Sequence, residues 1–287
     1  MNQAGHGDKS QTNPQIKLDE IGYWSEIKLD IVREYAAAYS KILSAQQTPK
    51  LHHLYIDAFA GPGLHISKQT GEFIPGSPLN ALLIDPPFAE YHLIDLDGQK
   101  IEHLQQLTKA YSNVYLYQGD CNEILLKDVF RRISYKDRCR ALCLLDPYGL
   151  HLDWKVIESA GKSRTVEMFL NFPVLDMNRN VLWRNPEAVA PTQAARMDRF
   201  WGDNSWRNIA YNTTGNLFEY EEKVDNDTIA QAFRNRLRTV AGFSHVPEPI
   251  PMRNPTGGVV YYLFFASHKP VAARIVTDIF NKYRDHR

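Results

Sequence analysis

No stretch of this chain approaches the roughly 18 consecutive apolar residues that a membrane-spanning helix needs. The richest run, Val259 to Ala266, has the length of a buried strand, and no membrane contact is expected. Cysteine is scarce, with Cys121, Cys139 and Cys143 the three in 287 residues. A small odd number argues against a disulfide framework and for a reducing, cytoplasmic compartment. Cys139 and Cys143 have no second pair nearby, so no metal site is expected. Neither sign of charge is in excess, with 33 basic and 33 acidic residues. A non-specific nucleic-acid binder is usually plainly basic, so the balance neither establishes nor excludes such a substrate. Basic clusters do occur at Arg131 to Arg140, Arg234 to Arg238 and Arg274 to Arg287, each also readable as a solvated helix face. There is no G-x-x-x-x-G-K phosphate loop, which argues against a nucleoside triphosphate. There is no internal repeat. Residues 1–19 are polar, lack a signal-peptide core and read as a disordered tail.

What is present is organised around Leu51 to Gly63, LHHLYIDAFAGPG. An apolar run ends in Asp57 and breaks into a turn, Phe59-Ala60-Gly61-Pro62-Gly63. Open α/β sheets bind ligands at such strand tips, where glycine lets the backbone approach closely. A tight turn after a buried strand is the plain alternative. Ahead of it, Trp24 to Leu43 carries Ile27, Ile31, Tyr35, Ala38 and Ile42 at helical spacing, so residues 20–50 read as a helical brace.

Beyond the turn, strand and helix alternate. Residues 65 to 75 read as a polar loop, and Ser77-Pro78 as a cap opening a helix. Strands are expected at Tyr91 to Asp97, Val114 to Tyr117, Ala141 to Leu145 and Val166 to Asn171, with helices at Gln99 to Ala110, Asn122 to Ile133 and Trp154 to Ala160. This predicts a doubly wound, mostly parallel Rossmann-like α/β core over 51–172. Residues 173–240 lose the alternation and read as a helical insertion on the substrate side. Over 241–287, Phe243 to Val246 and Val259 to Ser267 read as a late antiparallel pair, followed by a closing helix.

Four acids or acid-led turns follow successive strands: Asp57, Asp95, Asp120 and Asp146-Pro147-Tyr148. In a parallel sheet they share one edge. A carboxylate at the second strand end suits two ribose hydroxyls, and one at the third suits an exocyclic amine. That describes an adenosine pocket. The turn lacks the third glycine of the dinucleotide fingerprint, which disfavours NAD. Adenosine without a phosphate chain points to S-adenosylmethionine.

The runs DAFAGPG, IDLD, GDC and DPYG resemble those of class I S-adenosylmethionine-dependent methyltransferases, and among them the amino-methyltransferases with a D-P-P-Y motif, such as adenine-N6 enzymes. With the leading WSEIKLDIVREYAAAY helix, the GSPLNALL helix and the strand YYLFFAS, most of residues 20 to 285 resembles the three-Cys-motif partner protein (TcmP) family. The resemblance implies that Phe59, Gly61 and Gly63 border the methionine part of the cofactor and that Asp57 helps hold its amino group. It implies Asp95 on the ribose, Asp120 on the adenine amine and Cys121 beside the ring. Asp146 would accept from the acceptor amine with help from the Pro147 carbonyl, and Tyr148 would stack on a flipped-out base. The motif here departs from that pattern, with Tyr148 in place of the second proline and Gly149 in place of the aromatic. A literal D-P-P-F, Asp85 to Phe88, precedes the second strand and is expected at the opposite edge. Three functions follow: methyl transfer to an amino group of RNA or DNA; a partner module for a three-cysteine-motif protein; or methyl transfer to a small molecule or protein. A basic rim from Arg179, Arg184, Arg196 and Arg199 would favour the first.

Overall fold

The strand core forms because each central strand is apolar on both faces, as a sheet covered on both sides requires. The computed structural model describes residues 18–212 and 222–284; residues 1–17 of the expected tail, part of the insertion and the last three residues of the C-terminal basic run lie outside them. Seven strands build the central sheet: β1 (His52–Asp57), β2 (Glu90–Asp95), β3 (Val114–Gln118), β4 (Cys139–Leu145), β5 (Val166–Phe172), β6 (Ile250–Arg253) and β7 (Val259–Ala266). Their order is β6-β7-β5-β4-β1-β2-β3. Strands β1 to β5 are parallel, and β7 runs antiparallel to both β5 and β6. The fold is a doubly wound Rossmann-like sheet, mostly parallel, with one late reversed strand.

The two faces carry separate cores. Tyr55, Leu93, Leu142, Leu144, Phe169 and Phe265 point to one face, where they meet the N-terminal helix α1 (Tyr23–Ala45), the short helix α2 (Ser77–Leu82) and the C-terminal helix α10 (Pro270–Arg284). Leu54, Ile56, Cys143, Met168, Leu170 and Phe264 point to the other. There they meet helix α4 (Cys121–Ile124), with the π turn Leu125–Val129 that continues it, and helix α5 (Trp154–Ser163). Helix α3 (Gly98–Thr108) packs Leu104 into the first core.

Residues 174–239 contribute α6 (Val174–Asn180), α7 (Pro191–Trp201), α8 (Trp206–Ala210) and α9 (Asn226–Thr239). They do not build a core of their own. Phe233 of α9 lies 4.6 Å from Phe172 and 5.5 Å from Phe264, ring centre to ring centre, so the insertion seals the second face of the sheet.

Two expected elements are corrected. Phe243 to Val246 is not the partner of β7: Phe243 is buried in the second core, and His245 makes only an isolated bridge to Ser267. The partner is Ile250–Arg253, which contains Pro251 and reads as a turn by composition. An edge strand tolerates proline because one row of its N–H groups needs no ladder partner. Residues 65 to 75 are not a plain loop either. Leu64–Ser67 and Phe73–Pro75 form a small hairpin, and Glu20–Ile21 joins it in parallel.

Candidate functional site

The carboxyl edge gathers the ends of β1, β2, β3 and β4. After Asp57 the chain bends through Gly61 (φ 64°) and Gly63 (φ 85°), the left-handed region that glycine enters without steric cost. The two glycines face different things. A Cβ on Gly63 would stand 2.9 Å from Leu104 Cδ2, so its close approach is to α3. A Cβ on Gly61 would have nothing nearer than His65 Cε1 at 4.0 Å. Gly61 lines a cavity of about 300 Å³, together with Phe59, Asp146, Pro147 and Tyr148.

The most consequential contact in that cavity joins distant parts of the chain. Lys28, from the first turns of α1, donates its ammonium to Asp146 Oδ2 as an ion pair. The two side chains are only 10% and 24% exposed, so the pair is shielded from screening by water. Burial pushes the Lys28 pKa down, but the Asp146 carboxylate, helped by Tyr261, pushes it up further, and the net shift is upward. Asp146 Oδ1 has no hydrogen-bond donor among the described residues.

Two buried polar atoms at the cavity wall also lack partners among the described residues. Asn171, near the end of β5, donates from Nδ2 to the Pro147 carbonyl at 3.4 Å, while its Oδ1 receives nothing. His65 Nδ1 is likewise unsatisfied. Such atoms cost stability unless a ligand or water meets them. Tyr148 is 78% exposed at the cavity mouth. Its hydroxyl donates to Asp19 Oδ2 at 3.5 Å, and Lys100, which pairs with Asp19 at 3.4 Å, lies 5.8 Å from its ring centre. The glycine after it has a steric reason: a Cβ on Gly149 would come within 2.8 Å of Asp176 Oδ2, an oxygen that accepts from Leu150 N. A side chain there would have to displace the Asp176 carboxylate.

The remaining expected residues sit beside the cavity without lining it. Asp57 is fully buried beneath it and accepts from Phe59 N at 3.3 Å and from the Ser77 hydroxyl. Burial raises its pKa to about 7 despite these donors. Asp95 accepts from Gly61 N at 2.8 Å and Asp97 N at 2.9 Å, which fixes the glycine turn. Asp120 accepts from Asn122 N and caps α4. Cys121 is buried, and burial pushes its thiol up to about 12, so it is no nucleophile. Asp85 to Phe88 lies at the amino edge: Phe88 is buried against Tyr39, and the next residue, Ala89, donates to the carbonyl of His53 at the start of β1. Of the four expected rim arginines, Arg179 lines the cavity, Arg184 is exposed and does not line it, and Arg196 and Arg199 lie 3.9 Å from Asp176 and Asp153.

Reading the sequence missed Lys28, His65, Asn171 and Tyr261. Lys28 left a signal, since a lysine beside Ile27 and Ile31 on the buried stripe of an amphipathic helix is an anomaly. Ser77 is corrected as well. Gly76, not Ser77, occupies the cap position of α2, and the serine hydroxyl is turned to Asp57. No described helix is long and apolar enough to cross a membrane, and no group of three or more His, Cys, Asp or Glu among the described residues is placed to hold a metal ion.

No protein-family model and no curated protein matches the chain. Among solved structures it is similar to protein LPL1258 of Legionella pneumophila at 13% identity and TM-score 0.47, covering 90% of this chain and 92% of that one. It is also similar to the putative methyltransferase yhhF of Escherichia coli, at 12% identity and TM-score 0.38, over 83% and 86% of the two chains. A third similarity is to M. jannaschii TYW2 in complex with AdoMet, at 11% identity and TM-score 0.35, over 85% and 76%.

Proposed function

We propose that this chain is an S-adenosylmethionine-dependent methyltransferase acting on an amino nitrogen, that of adenine in a nucleic acid. The observation that carries the reading is the set of acceptors at one cavity: among the described residues Asp146 Oδ1 and Asn171 Oδ1 both lack donors, beside an exposed aromatic ring at the mouth. An exocyclic amine brings two N–H donors attached to a flat ring. Its fit to two acceptors and a stacking face is chemical. Tyr148 standing in the second-proline position is compatible with stacking, because its ring is exposed.

The residues present fit the cofactor. Gly61 leaves open space on the cavity side, and Asp95 holds that turn while keeping lone pairs for ribose hydroxyls. Asp57 lies behind Ser77 and would act on the cofactor amino group only through that hydroxyl. When bound, the cofactor supplies an electrophilic sulfonium methyl. The protein's share is positioning. Lys28 holds Asp146 by one oxygen, and the other oxygen accepts the amine N–H and can receive the proton the nitrogen sheds. Asn171 takes the second N–H, and Tyr148 holds the ring. Arg179 and Lys100 supply positive charge at the rim for a phosphate backbone.

The test is to incubate the protein with methyl-labelled cofactor and separated cellular RNA, DNA and protein. Label is expected in a nucleic-acid fraction, and Asp146→Ala is expected to abolish it while leaving cofactor affinity within a few-fold. Asp95→Ala should weaken cofactor binding by roughly 1–3 kcal/mol, the cost of a lost charged hydrogen bond. Label in the protein fraction would move the acceptor there, as the paired state of Arg196 and Arg199 favours. Cofactor binding with no label anywhere would favour the partner-module reading with a three-cysteine-motif protein, in which Lys28 fills the place of the amine.

A further inference from the structure

The larger of the two cavities described here lies at the other edge of the sheet, and its chemistry is the reverse of the first. It measures about 580 Å³, within the range of small-molecule pockets. It opens between the C-terminal half of α1 and the start of α10, over the amino ends of β4 and β5. Lys136, Arg138, Arg140, Arg164 and Lys269 line it. None of the five forms an ion pair among the described residues. The one carboxylate on the wall, Glu167, is already engaged by the Tyr35 and Ser267 hydroxyls, and burial shifts it toward the neutral form. Lys269 acts on Glu167 only at longer range, so five cations without a close ion pair surround one cavity and repel one another, and an anion relieves that repulsion.

Much of the rest of the wall is apolar, with Gln46, Thr165 and His268 as its neutral polar members. Ile42, Val271 and Tyr135 are 43%, 46% and 62% exposed there, beside Leu43, Pro49 and Ile275. Arg140 lies 4.2 Å from the Tyr135 ring centre, which holds the guanidinium at the boundary between charged and apolar walls. A second observation points to a ligand. Tyr39 is 6% exposed, its hydroxyl has no partner among the described residues, and the charges acting on it are those of Glu167 and Arg140, both wall residues. A third concerns the backbone. Arg138 (φ 60°) and Arg164 (φ 57°) are the two non-glycine residues of positive φ among the described residues, and both stand on this cavity. Glycine is the residue those conformations favour. Arginine at both positions keeps a head group at a backbone cost, as functional sites do.

We infer that the amino-edge cavity binds a small anion, of the phosphate-monoester type, carried on an aromatic or aliphatic body. The guanidinium groups of Arg138 and Arg164 take the anion, the apolar wall takes the body, and the Tyr39 hydroxyl meets a polar atom on it. This site is independent of the carboxyl-edge reading, since no residue lines both cavities.

The probe is phenyl phosphate, titrated calorimetrically against the full chain, with inorganic phosphate and benzyl alcohol as separate arms. One saturable site for phenyl phosphate is expected, at least tenfold tighter than for inorganic phosphate, with no saturable heat from benzyl alcohol. Arg138→Gly with Arg164→Gly should weaken phenyl phosphate at least tenfold and leave the melting temperature at or above that of the parent chain. Should that pair fail to fold, Lys136→Ala with Lys269→Ala removes two exposed charges instead and should weaken binding at least threefold. Asp146→Ala should leave the titration unchanged, which separates this site from the other edge. Absence of saturable binding, equal affinity for inorganic and phenyl phosphate, or full affinity in a folded arginine variant overturns the assignment.

Discussion

The two edges of the sheet handle charge in opposite ways. At the carboxyl edge the charged groups are answered from within: Lys28 by Asp146, Asp95 by two backbone N–H groups, Asp57 by burial into a form near neutrality. At the amino edge five cations line a cavity whose one carboxylate, Glu167, is already held by two hydroxyls, and none of the five forms a close ion pair among the described residues. Helix α1 touches both. Lys28 serves one edge and Tyr39 the other, about 16 Å along the axis at 1.5 Å per residue. The contrast teaches that breaking an answered pair should cost stability at the first edge, whereas removing a cation should cost little or none at the second.

The largest expected effect is a pH dependence. The Asp57 pKa rises from an ordinary 3.8 to about 7 on folding. The fold therefore prefers the protonated carboxyl. Its contribution is fully present below the unfolded value and is lost as pH rises through about 7. Three pH units correspond to about 4 kcal/mol. Urea melts of the parent chain and of Asp57→Asn, run from pH 3.5 to 8, should diverge by about that amount, with the parent losing ground as pH rises. Parallel curves would mean that Asp57 keeps its charge in the fold, and the contrast between the edges would lose its strongest member.

Next comes the buried pair itself. Lys28→Met strands a partly buried carboxylate and should cost about 3 kcal/mol, the lower end for a broken buried pair because Asp146 keeps some exposure. Adding Asp146→Asn should recover most of the loss, since an apolar side chain beside a neutral amide leaves no charge to solvate. A double variant as unstable as the single one would show that Lys28 acts through packing of its stem.

The two glycines of the turn then separate stability from binding. Gly63→Ala combines left-handed strain with a Cβ 2.9 Å from Leu104 and should cost about 2 kcal/mol of stability. Gly61→Ala should cost about 1 kcal/mol, from strain alone, and should instead lower cofactor affinity at least tenfold. Equal effects of the two on affinity would put Gly63 at the ligand after all.

The strands were legible because both-face burial writes itself as continuous apolar runs, and β1, β2, β4 and β5 fall where those runs predict. The edge strand β6 was not, since Pro251 inside it mimics a turn and only its position at the rim of the sheet makes it permissible. At the site, Asp146, Pro147, Tyr148 and Gly61 were readable from their place after a strand. The Lys28 contact was not, because it closes across 118 residues and depends on how α1 is set against the sheet. The glycine of DPYG was equally opaque, because the Asp176 carboxylate that crowds it comes from 27 residues further along the chain.

The smallest effect is the one that would most sharpen the contrast. Arg164 ends α5 in the left-handed conformation, its N–H reaching the Gly161 carbonyl at 3.4 Å. Glycine relieves the Cβ strain there, partly offset by its greater freedom when unfolded. Removing the cation also lowers the repulsion among Arg138, Arg140, Lys269 and itself. Arg164→Gly should therefore raise stability by up to about 1 kcal/mol, read as a shift of the urea midpoint at unchanged slope, and the gain should shrink in high salt as the repulsion is screened. A loss of stability would mean that the guanidinium is answered from within the protein, and the amino edge would then resemble the carboxyl edge rather than oppose it.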